Sequence, residues 1–70
     1  MKNYESSTTV SQNLEIDDHI KVAGVLYRIT KIEQIGSAYL IHFHNVRRPK
    51  LQGLLTLDSN TLMTIWNQKY

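Results

Sequence analysis

The sequence predicts an all-β fold, a small five-stranded barrel preceded by a flexible polar tail. Three observations point there. The stretch HIKVAGVLYRITKI, residues 19–32, alternates Ile20 and Val22 with His19 and Lys21, turns at Ala23 and Gly24, and resumes as Val25, Tyr27 and Ile29 against Leu26, Arg28 and Thr30. Its residues are largely β-branched or aromatic, which suits a pleated, half-buried surface. After Ile29 the next large apolar residue is Ile32, an odd step. On a flat strand Ile32 would face the wrong side, so a bulge or sharp bend is expected there, curling the strand toward a barrel. Further on, AYLIHFH alternates Tyr39, Ile41 and Phe43 with Leu40, His42 and His44, which predicts an apolar side facing inward and histidines facing out.

Taken in order, residues 1–13 carry Ser6, Ser7, Thr8, Thr9, Ser11, Gln12 and Asn13 with little apolar content, and read as a mobile tail. The barrel is expected over residues 14–70. Leu14 and Ile16 restart the alternation as a short strand or a single helical turn, and Asp17 and Asp18 favour a turn by bonding their own backbone. Two strands then meet at Gly24. The reversal at residues 34–37 relies on Gly36 for a positive φ. After the third strand, residues 45–52 (NVRRPKLQ) form a solvent-facing loop, because Pro49 cannot donate to a ladder. Residues 53–57 make a short fourth strand, residues 58–60 one tight helical turn, and residues 62–66 the last element. Leu62, Ile65 and Trp66 also stand at helical spacing, with Asp58 or Ser59 as a cap. A strand is favoured because Thr61, Thr64 and Ile65 are β-branched, no capping-box glutamate follows, and a fifth strand would cover an open edge.

Seventy residues make one small domain, and the absence of cysteine removes both disulfides and thiolate metal sites. Self-association is a common remedy for so small a core, which makes a homo-oligomer the expectation. Net charge is +2 but uneven. Residues 1–18 set Lys2 against Glu5, Glu15, Asp17 and Asp18, whereas residues 19–70 hold seven cations against Glu33 and Asp58. The basic part is the part expected to fold, and it would attract an acidic protein or a nucleic acid. No run of about 18 apolar residues is present, so no conventional membrane span is expected. The first residues lack the apolar centre of a secretion signal, which makes a cytoplasmic location the expectation.

Arg47, Arg48 and Lys50 crowd around Pro49, with Arg28 and Lys31 as further candidates for binding single-stranded nucleic acid or an acidic partner. Tyr27, Tyr39 and Trp66 are candidate stacking platforms, although each equally suits a core. Outward-facing Leu26, Leu40 and Met63 are candidates for self-association. His42 and His44 sit two apart, with His19 on another strand, but no matched carboxylate completes a metal set, and no metal or cofactor is expected. Adjacent Asp17 and Asp18 point to opposite sides of an extended chain, a poor catalytic dyad. No nucleophile and base are recognisable, so the expected role is a non-enzymatic binding and assembly module.

The order of HIKVAGVLYRITKI, then AYLIHFHN, then LLTLDSNTLMTIW resembles the small barrels of the Src-homology-3 type and their Sm-like relatives. The resemblance is one of layout and covers most of the chain. Sm-like proteins assemble into rings through strand edges and bind single-stranded RNA, while Src-homology-3 domains grip proline-rich peptides with an acidic loop and clustered aromatics. This sequence lacks the recognisable motifs of both and carries a basic loop. What the resemblance implies is therefore the architecture.

Overall fold

The computed structural model describes residues 3–69 and contains six strands rather than five. They are β1 (Asn3–Val10), β2 (His19–Val22), β3 (Val25–Ile35), β4 (Ala38–Asn45), β5 (Gln52–Asp58) and β6 (Leu62–Lys69). Strands β2-β3-β4-β5 form one antiparallel sheet in that order, and β1 pairs with β6 in a separate two-stranded ribbon. The larger sheet curls into a half-barrel, and the ribbon lies against its β2 side. There the His19 N–H donates to Asn67 Oδ1 (3.3 Å).

The curl comes from the place the odd apolar step marks. Ile29 stands opposite Phe43 and Lys31 opposite His42, so Thr30 is an extra residue in β3, a β-bulge. Its hydroxyl donates to the His42 carbonyl (3.3 Å). Skipping one residue restores parity: Ile29 and Ile32 face Phe43 and Ile41 on the same inner side. The core is Leu14, Ile20, Ile29, Ile41, Phe43 and Leu57, and Tyr27, Ile32, Tyr39, Leu55, Met63 and Ile65 pack against it. Tyr27 and Phe43 meet edge to face, ring centres 5.0 Å apart, and the Phe43 ring lies over Gly53 of β5.

The turns follow backbone chemistry. Ala23 and Gly24 both have positive φ (51° and 79°), as a two-residue type I′ hairpin demands. Gly36 (φ 60°) leads the next hairpin, which leaves only Gly36 and Ser37 outside the strands, so β3 runs on to Ile35. The element after Asp58 is a turn with Asn60 at φ 65°. The chain beyond it is the strand β6 and not a helix.

The amino-terminal segment departs from expectation. Residues expected to be a mobile tail form β1 and a 3-10 turn, Ser11–Asn13; residues 1 and 2 lie outside the described residues. Strand β1 carries few apolar side chains, but it obtains its backbone partners along the whole of β6. Ser11 anchors its end. Buried to 1% exposure, its hydroxyl donates to the Asp58 carbonyl (2.6 Å) and accepts from the Thr61 N–H (3.2 Å), while the Ser11 N–H donates to the Thr61 carbonyl (2.8 Å).

Candidate functional site

The inner side of the curled sheet is filled by its own side chains, so chemistry is left to the outer side. Residues directly opposite one another across a ladder share a face. His19 stands opposite Arg28, Arg28 opposite His44, and His44 opposite Gln52, a polar row crossing all four strands. Beside it Lys21 faces Leu26, and the Val46 N–H donates to the Leu26 carbonyl (3.4 Å), a second and more apolar row. Beyond the bulge, Lys31 faces His42, which faces Leu54. The bulge is what returns Arg28 and Lys31 to the same side.

Charge on this face is only partly compensated. Arg28 Nε lies 3.7 Å from Asp17 Oδ1, a long and exposed contact of little energetic weight. Lys31 Nζ lies 3.1 Å from Glu33 Oε1, and His42 Nε2 lies 2.9 Å from Glu33 Oε2. The hydrogen bonds from His42 and Lys31 and the Lys31 charge hold the Glu33 carboxyl below its ordinary value. Lys21 Nζ sits 3.8 Å above the Trp66 ring, a cation–π contact that ties β2 to β6.

The basic loop is a closed structure. Asn45 Oδ1 accepts from the N–H groups of Arg47 (2.8 Å) and Arg48 (2.9 Å), the Leu51 N–H donates to the Arg48 carbonyl (2.8 Å), and the Asn45 N–H to the Leu51 carbonyl (2.8 Å). Arg47, Arg48 and Lys50 are held exposed at the end of the sheet that carries His44. The candidate cations 28, 31, 47, 48 and 50 thus lie on one face and its adjoining loop. Of the candidate platforms, Tyr27 and Tyr39 pack against the core, and Trp66 carries Lys21.

Several hollows open on the same side, and two of them adjoin. A cleft of about 580 Å³ is lined by Tyr4, Gly24, Val25, Leu26, Asn45, Val46 and Arg47. A smaller concavity of about 230 Å³ is lined by His19, Arg28, His44, Val46 and Pro49. Val46 lines both, and the Tyr4 ring meets the His19 ring edge-on at 5.4 Å. His19 and His44 flank Arg28 on separate strands, which sets their backbones about 10 Å apart with a cation between them. That spacing suits an anion better than a metal ion, and among the described residues no group of three or more potential metal ligands occurs.

Comparison with protein-family models, curated proteins and solved structures found no significant match.

The self-association candidates divide. Leu26 lines the larger cleft, Leu40 is half-buried on the outer face opposite Glu33 and Thr56, and Met63 packs against the core. The strongly exposed leucines are Leu62 (71% exposed) in the ribbon and, at the β5 edge of the larger sheet, Leu51 (52%) and Leu54 (61%), which sequence reasoning passed over. Leu54 was legible as the alternate of Leu55 and Leu57, and Leu51 as the residue just before the strand. Strands β2 and β5 end the larger sheet and both strands of the ribbon are edges; β6 packs alongside β2 without a ladder, and among the described residues no strand is bonded to the outer edge of β5. Asp17 (φ 77°) and Asp18, whose Oδ2 accepts from the Glu15 N–H (2.9 Å), act as turn residues. Among the described residues no helix is long and apolar enough to cross a membrane.

Proposed function

We propose that this chain is a non-enzymatic binding and assembly module that pairs with copies of itself through an open strand edge and offers its basic outer face to a partner macromolecule. The observation that carries the reading is β5. Seven residues long, QGLLTLD ends the four-stranded sheet without a lysine, a proline or a bulge, the devices that usually blunt such an edge, and Leu54 stands out from it beside Leu51. Covering the exposed part of each leucine contributes on the order of 1 kcal/mol, on top of the ladder bonds gained. The β2–β6 portion is read as a five-stranded barrel of the Src-homology-3 or Sm-like type with β1 added. The bent β3, the strand order and the return of β6 to β2 support that reading.

Sedimentation equilibrium at micromolar concentration tests the proposal. A mass above that of one chain, returning to the monomer value in Leu51→Lys/Leu54→Lys, is expected. A clean monomer for the unaltered chain refutes it.

A second reading, single-stranded nucleic-acid binding, is favoured by the sharing of one side by Lys21, Arg28, Lys31 and the loop cations. Three or four phosphate contacts predict weak binding whose logarithm falls with the logarithm of salt at a slope of about −2 to −3. Failure of a labelled oligonucleotide to bind at low salt removes this reading.

A further inference from the structure

We infer that the paired hollows on the outer face form a site for a phosphate monoester with a planar body edged by polar atoms, of the nucleoside 5′-monophosphate kind. The head position is the concavity of about 230 Å³ between His19, Arg28, His44, Val46 and Pro49. It is large enough for one phosphoryl group and too small for a nucleoside as well. Its three nitrogen-bearing side chains come from three neighbouring strands in strict register, so they approach a bound group from different directions. A tetrahedral anion with three terminal oxygens uses all three. A carboxylate would be satisfied by the Arg28 fork alone.

The side chains are available for this. The Arg28 contact to Asp17 engages Nε at 3.7 Å, which leaves the terminal guanidinium nitrogens to turn toward the hollow. His19 lies with Nδ1 3.5 Å from Asn67 Oδ1, leaving Nε2 to meet a ligand, to which it donates when the ring carries both protons. Asn67 is itself steadied by donating from Nδ2 to Asp18 Oδ1 (3.1 Å), so the imidazole is positioned from behind.

The body position is the adjoining cleft of about 580 Å³. Tyr4, Val25, Leu26 and Val46 supply apolar and aromatic surface, and Val46 is the shared wall that sets head and body side by side. Asn45 and Arg47 stand at its rim. Because Asn45 Oδ1 is taken up by two backbone N–H groups, its amide nitrogen is the part left to donate, which favours a body with acceptor atoms at its edge. The cleft mixes polar and apolar surface in about equal measure, which suits a planar ring with polar edge atoms joined to a hydroxylated sugar.

The test is a chemical-shift titration of the whole chain with inorganic phosphate, adenosine 5′-monophosphate, adenosine and a dinucleoside phosphodiester. Phosphate is expected to move His19, Arg28 and His44 signals only. The monophosphate should move these together with Tyr4, Leu26 and Val46, and bind at least about tenfold more tightly than phosphate. Arg28→Met should weaken monophosphate binding by about tenfold or more without changing the melting temperature. The absence of saturable binding by the monophosphate overturns the inference. So does a phosphodiester that binds as well as the monoester, a result that would assign the face to a nucleic-acid backbone instead. So does adenosine binding as tightly as its monophosphate, which would leave the anion hollow without a role.

Discussion

Gly53→Ala should destabilise the fold, although the same change usually helps where the backbone permits it. Alanine restricts the unfolded chain and so normally stabilises by about 0.4–1 kcal/mol at a compatible position. Gly53 stands opposite Phe43, and a methyl group there would lie 2.6 Å from Cε1 and 2.7 Å from Cζ of that ring. The ring is not free to swing away: Phe43 is 9% exposed and braced edge-on by Tyr27. Overpacking of this kind costs about 1–3 kcal/mol. Setting one term against the other leaves a loss of about 1–2 kcal/mol, or a melting temperature roughly 5–15 °C lower for a domain of this size. Urea and thermal unfolding of Gly53→Ala, Phe43→Leu and the double variant form the assay. In the double variant the shorter side chain leaves room for the methyl, so the two losses should add to less than their sum by about 1 kcal/mol. A Gly53→Ala protein as stable as the unaltered chain would refute the reasoning, since the ring would then be yielding freely.

Glu33→Gln should flatten the acid limb of the stability curve. The folded-state carboxyl titrates below its ordinary value of 4.5, so its contribution is fully present above that value and is lost as the pH falls through the lower, folded-state one. Melting temperatures between pH 3 and 6, compared with the unaltered chain, check this. Ala23→Asn should stabilise by about 0.5–1 kcal/mol, because asparagine tolerates the left-handed backbone that Ala23 holds at φ 51°; chemical denaturation reads the gain. Ser11→Ala should cost about 1–3 kcal/mol in the same assay, because it removes a buried hydroxyl serving both Asp58 and Thr61.

Local chemistry was legible wherever one side of a strand is wetter than the other. The odd step from Ile29 to Ile32 located the bulge, and alternation separated Ile41 and Phe43 from His42 and His44. The last strand was legible, as residues 62–66 of the observed Leu62–Lys69, from its β-branched residues against a competing helical spacing. Strand β1 was not, because NYESSTTV carries its information in backbone pairing rather than in apolar side chains. Only Thr8, Thr9 and Val10, a β-branched run, hinted at it. The cations of the candidate site were visible one by one. Their alignment with His19 and His44 depends on ladder register, which no single segment reveals. Tyr4 was invisible as a site residue for the same reason that β1 was invisible as a strand.

The pairing of β1 with β6 has a consequence for how the molecule is born. Strand β1 is synthesised before the four middle strands yet finds its ladder partner only when β6 emerges, since Val10 meets Leu62 and Asn3 meets Lys69. The four middle strands are joined by short reversals and are free to zip up beforehand, while closing the longest loop comes at the end. Until then β6 is unsynthesised and its binding edge on β1 stands bare, so nascent chains crowded on one message have their greatest opportunity to exchange this strand with a neighbour.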